Sequence, residues 1–68
     1  MKYAIVIEKS DNSFGAYVPD LPGCVAAGET LTETETLIRE AVEFHLEGLR
    51  EDKIQIPVPS AVAEYIEV

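Results

Sequence analysis

The sequence is poor in the residues that build chemical sites. It has no tryptophan, a single cysteine (Cys24) and a single histidine (His45). One cysteine excludes an internal disulfide, and one Cys with one His excludes a Cys/His metal cluster. No glycine-rich phosphate loop is present. No apolar run approaches the roughly 18 residues that a membrane span requires. Met1-Lys2 is followed only by the short run Tyr3 to Ile7, so no signal peptide is expected and the cytoplasm is the default compartment. Basic residues are also scarce, five against thirteen acids, for a net charge of −8. A chain with that field repels phosphate backbones and favours a basic partner. The acids also serve the simpler purpose of keeping a small protein soluble.

What is present suits one small folded domain spanning 1–68. The apolar fraction, 47%, is too high for a disordered chain. A domain of this size buries only about 60% of the surface of its unfolded chain. Its core alone supplies a net stability on the order of 3–5 kcal/mol. With disulfide and metal excluded, self-association is the remaining reinforcement.

The apolar pattern then divides the chain. Tyr3–Glu8 is β-branched, short and apolar on both faces, and reads as a central strand. Lys9–Ser13 is a turn, and Phe14–Val18 completes a hairpin. Gly15 within that second strand marks a bulge or a close approach. Pro19-Asp20-Leu21-Pro22-Gly23 is a compact loop in which Pro-Gly is a strong turn signal. Cys24–Gly28 is a short third strand of small residues, which suggests close packing above it. Thr30 with Glu33, or Thr32 with Glu35, offers a capping box. The stripe Ile38, Ala41, Val42, His45, Leu46, Leu49, widened by Leu37 and Phe44, predicts a helix from Leu31 to Glu51. Asp52–Ser60 is a connector with Pro57 and Pro59. Ala63–Val68 reads as a final edge strand.

The expected fold is therefore α+β, ordered βββαβ. It has a three-stranded antiparallel meander and one helix on one face. A right-handed crossover sets the last strand parallel to the first, in sheet order 3-2-1-4. The other face is left to water or to a second subunit, so at least a homodimer is expected.

Little of this supports catalysis. His45 lies on the apolar stripe and reads as a packed helix histidine. Cys24 reads as a small buried thiol, because no cation stands near it in sequence. Asp11 and Asp20 are two loop acids, too few for a metal site. The scattered bases and the aromatics offer no nucleic-acid surface. The chain is expected to have no catalytic residues, no metal and no cofactor.

Phe14-Gly15-Ala16-Tyr17-Val18-Pro19-Asp20-Leu21-Pro22-Gly23-Cys24 resembles the signature of the HicB-like antitoxins, an aromatic strand running into a D-L-P-G-C loop. Gly28-Glu29-Thr30, Ile38-Arg39-Glu40-Ala41, His45-Leu46-Glu47 and Ile56-Pro57-Val58-Pro59-Ser60 continue the likeness along nearly the whole chain. The resemblance implies a sheet like a truncated RNase H fold. It also implies an antitoxin role, the binding and occlusion of a small basic HicA-like toxin that cleaves RNA. The surface expected to meet that partner is Tyr17, Asp20, Leu21, Pro22, Gly23 and Cys24. An orphan HicB-like interaction protein without a toxin is the alternative. A residual RNase H-like enzyme using Asp20 is a distant third. Many members continue into an operator-binding domain; this sequence stops at Val68, so no DNA binding is expected of it. Leu37 and Glu35 depart from the common pattern. Lys53 stands where many members have glycine, so the helix is expected to end differently.

Overall fold

A computed structural model describes all residues 1–68. Its elements are β1 (Val6–Lys9), β2 (Phe14–Tyr17), β3 (Val25–Gly28) and α1 (Leu31–Glu51). The strands form one antiparallel sheet in the order β1-β2-β3. Val6 faces Tyr17, which faces Val25; Ile7 faces Ala16, which faces Ala26; Glu8 faces Gly15, which faces Ala27.

Because side chains alternate across a strand, these rows sort onto two faces. Ile7, Ala16 and Ala26 turn toward the helix, which packs mainly on β3 and less on β2. Ala16, Val18, Leu21, Cys24 and Ile38 form the buried core, with Tyr3, Ile7, Ala26, Ala41, Val42 and Leu46 packed around it. The other face carries the Val6, Tyr17, Val25 row and the Glu8, Gly15, Ala27 row, and no helix covers it.

The helix occupies the span its periodicity predicts. Thr30 is the N-cap: its Oγ1 accepts a hydrogen bond from the Glu33 amide at 3.1 Å. The Glu33 carboxylate reaches back one residue beyond the cap, accepting from the Glu29 amide at 3.0 Å. The alternative box at Thr32 and Glu35 is not used; Thr32 instead accepts at its carbonyl from the Thr36 hydroxyl. Buried Thr34 donates to the Thr30 carbonyl at 2.8 Å, so its hydroxyl is satisfied inside the core. The small-residue expectation for β3 holds at Gly28. A Cβ there would stand 2.7 Å from Thr34 Oγ1 and 2.8 Å from Glu33 Oε1. Gly15 differs from expectation: the register runs through it without a bulge, and nothing lies within 4 Å of where its Cβ would be. It belongs to the open face.

Three further expectations are corrected. The first strand starts at Val6 rather than Tyr3, because its partner turns away after Tyr17 and Pro19 has no amide to continue the ladder. Leu37 and Phe44 do not widen the core stripe. They lie about 100° around the helix from its centre and are exposed. The fourth strand over Ala63–Val68 does not form, and the sheet has three strands. Residues 54–68 carry no regular secondary structure, and no backbone hydrogen bond joins them to β1. Strand β1 is therefore an edge, not the centre of the sheet. The segment stays tied to the body at Pro57, Ser60 and Ala61, the residues after Ala61 are all exposed, and the molecule measures 40 × 27 × 16 Å.

Candidate partner-binding surface

The loop between β2 and β3 is built from two linked tight turns. The Leu21 amide donates to the Val18 carbonyl at 3.1 Å, with Pro19 at the second position of the turn. The Cys24 amide donates to the Leu21 carbonyl at 3.1 Å, with Pro22 second and Gly23 third. Gly23 has φ of +84°, the value a type II turn demands at that place and one that favours glycine. A third bond, Val18 amide to Cys24 carbonyl at 3.3 Å, closes the loop. Two prolines hold φ and three backbone bonds close the turns, so the loop is a rigid fixture.

That construction separates the six residues expected to meet a partner. Leu21 is 0% exposed and plugs the core, and Cys24 is buried beside it. Neither has surface to offer. Burial pushes the Cys24 thiol up from its ordinary value, so it stays protonated and unreactive at neutral pH. Asp20 is occupied within its own chain. Its carboxylate accepts from the Ser60 amide at 3.0 Å, the Ser60 hydroxyl at 2.9 Å and the Ala61 amide at 3.0 Å. The Ala61 and Ser60 amides, with the Ser60 hydroxyl, hold its carboxyl below the usual range. Tyr17, Pro22 and Gly23 remain exposed. Tyr17 points onto the open sheet face, away from the loop crest.

The exposed part of the loop meets the helix at an open cleft. Gly23, Val25, Phe44, His45, Gly48 and Leu49 line it, with Cys24 and Ala41 at its floor. Phe44 is 79% exposed and Val25 63% exposed, so the cleft is flanked by apolar groups that the fold does not cover. His45 is half-buried in its wall. Positions three and four apart are neighbours on a helix, which sets Glu40 and Glu47 on either side of Phe44. Glu33 and Glu51 extend the same row, and all four are exposed. The arrangement is an apolar anchor edged by carboxylates. No three His, Cys, Asp or Glu side chains come together as metal ligands would.

Phe44 and Val25 escaped the sequence reading because each sits at the margin of an apolar pattern. The pattern gives the period of the buried stripe but not where its edge falls. The four- and three-residue spacings from Glu40 to Phe44 and from Phe44 to Glu47 were the available signal.

The model of a family described as the HicB_like antitoxin of bacterial toxin-antitoxin systems matches residues 3–68. The chain belongs to the HicB-like antitoxin family. An uncharacterized 14.9 kDa protein of Haemophilus phage HP1 is 42% identical over 66 residues, covering 97% of this chain and 50% of that protein. Antitoxin HicB 2 of Photorhabdus laumondii is 28% identical over 69 residues, covering 100% of this chain and 50% of that antitoxin. This HicB-like chain thus spans about half the length of both relatives. Among solved structures, a chain of a HicA3 and HicB3 toxin-antitoxin complex superposes with a TM-score of 0.74 at 33% identity. That likeness covers 87% of this chain and 70% of the other. The α+β arrangement of three antiparallel strands and one helix is therefore a HicB fold.

Proposed function

We propose that this HicB-like domain is the toxin-binding unit of an antitoxin. It binds a small basic HicA-like protein and occludes the toxin's RNA surface, and it acts by contact rather than by catalysis. The observation that carries this reading is the anchor at Phe44, exposed between Glu40 and Glu47 beside the Pro22-Gly23 turn. An exposed aromatic is a common centre of binding energy once a partner desolvates it. Carboxylates around it suit a basic partner and exclude nucleic acid. The neighbouring HicA3–HicB3 complex supports the choice of partner. With net charge −8, these residues have a protein-binding role and no direct DNA-binding role in this reading. A cytoplasmic setting and self-association through uncovered sheet belong to the same proposal.

The test uses a co-encoded HicA-like protein. The chain is expected to bind it, stop its RNA cleavage and rescue cells arrested by it. Phe44→Asp is expected to weaken the complex by roughly tenfold or more, as loss of a central aromatic does. Its circular dichroism should match the parent, because Phe44 supports no core contact. Absence of binding by the parent chain rejects the toxin-binding role. Binding that ignores Phe44→Asp rejects this surface but not the role.

A further inference from the structure

Six residues of α1 fall in one line. Glu33, Leu37, Glu40, Phe44, Glu47 and Glu51 follow one another at alternating steps of four and three, and every one is exposed. Such steps average about 3.5 residues, close to one helical turn of about 3.6, so the line stays on one face from end to end. It is not the core face, which Ile38, Ala41, Val42 and Leu46 hold. The order along it is regular. Leu37 and Phe44 stand seven apart, and each has a carboxylate four residues before it and three residues after it. Apolar residues at every seventh position, with charges between them, form the seam by which one helix receives another.

The side of the seam toward the sheet is cut low. Thr34, Ala41 and Gly48 also stand seven apart and border it there. Gly48 has nothing within 4 Å of where its Cβ would be. Gly23 and Val25 lie across from it, and with Ala41, Phe44 and Gly48 they line the open cleft. Small residues on both walls let a second backbone come close, as helices packed about 8–10 Å apart require. Charge then selects the occupant. A second copy of this seam would set carboxylate against carboxylate. The two arginines of α1, Arg39 and Arg50, stand off the line and do not relieve it. The complement is a helix with apolar residues seven apart and Lys or Arg between them.

We propose that α1 receives one helix of the toxin along this seam. That helix is basic and amphipathic. It seats apolar side chains against Leu37 and Phe44 and cations against Glu33, Glu40 and Glu47. To meet both apolar residues it must run alongside α1 for at least seven residues, roughly 10 Å at 1.5 Å each. The identity of the partner rests on the toxin-binding reading given above; the helical form of the contact rests on the spacing alone.

Calorimetry with two probes separates the two. The first is the co-encoded HicA-like protein. The second is a synthetic basic helical peptide of about 18 residues, with leucines seven apart and lysines three and four residues from each. Both are expected to bind the full chain. Glu40→Lys with Glu47→Lys is expected to weaken both by roughly a hundredfold. Asp11→Lys with Glu35→Lys makes the same change in net charge off the seam and is expected to cost far less. Gly48→Leu fills the groove where there is room for it. It is expected to weaken both probes while raising Tm, because leucine favours a helix more than glycine does. Amide exchange in the HicA-like protein should slow on one helix. The proposal is overturned if the toxin binds and the seam pair costs no more than the control pair, or if the slowed amides lie on a strand or loop; the toxin-binding reading then stands. If the peptide binds through the seam and the toxin does not bind at all, the seam stands and that reading falls. Binding of neither overturns both.

Discussion

Asp20 shows how one residue type in a legible motif takes a role that sequence alone does not assign. A loop acid beside Pro-Gly reads as a surface group for a partner. In the fold it is a tie to Ser60 and Ala61, forty residues away, and no local pattern announces such a contact. Leu21 was equally hidden: a lone apolar residue between turn residues gives no periodicity, yet it fills the core. Cys24 alone among the three was readable, because a thiol without nearby cations is an inert one. The Asp20 tie has a defined pH response. Its folded pKa is lowered by the amides and hydroxyl it accepts from. The stabilisation is therefore complete above the unfolded carboxyl value of about 4 and is lost as pH falls through the depressed folded value. Amide resonances of Ser60 and Ala61 should hold steady from neutral pH to about 4 and move only below it. A midpoint at or above the ordinary Asp value would refute the tie.

At the scale of elements, the helix was the most legible part because all its signals are local. Its cap, stripe and length lie within 24 consecutive residues from Thr30 to Lys53. Its last residue, Glu51, was read correctly, but the cap that follows was not. The Ile54 amide donates to the Leu49 carbonyl at 2.9 Å and the Lys53 amide to the Arg50 carbonyl at 3.1 Å, the two bonds of a Schellman cap. Lys53 takes φ of +57° to make them. The geometry that glycine would ease is kept, and a lysine bears the strain. Lys53→Gly should therefore stabilise the domain by up to about 1 kcal/mol, reduced somewhat by the freedom glycine adds to the unfolded chain. A rise in Tm of up to about 4–8 °C would register it; no rise, or a fall, would contradict the account. The strands were placed correctly in order but less well in extent. Where a strand stops depends on its neighbour's turn, as Pro19 shows for β1.

For the whole molecule, charge and topology were readable to different depths. The net charge of −8 is a property of composition, and its consequence for a basic partner is kinetic. The association rate with a HicA-like protein should fall by roughly tenfold or more from low to physiological salt, while dissociation changes little. Stopped-flow traces across that range would decide it, and a salt-independent rate would remove steering from the mechanism. The fourth strand was misplaced for a different reason. Handedness rules say where a returning strand belongs if it pairs within its own sheet. They do not say whether a carboxylate such as Asp20 will pin the return before it arrives.

The exposed end of the chain bears on how long it persists. A protease needs extended, accessible backbone, and the closed loop at Val18–Cys24 and the helix deny it. Ala61–Val68 grants it without any unfolding. Turnover would then follow the exposure of that handle rather than the stability of the core.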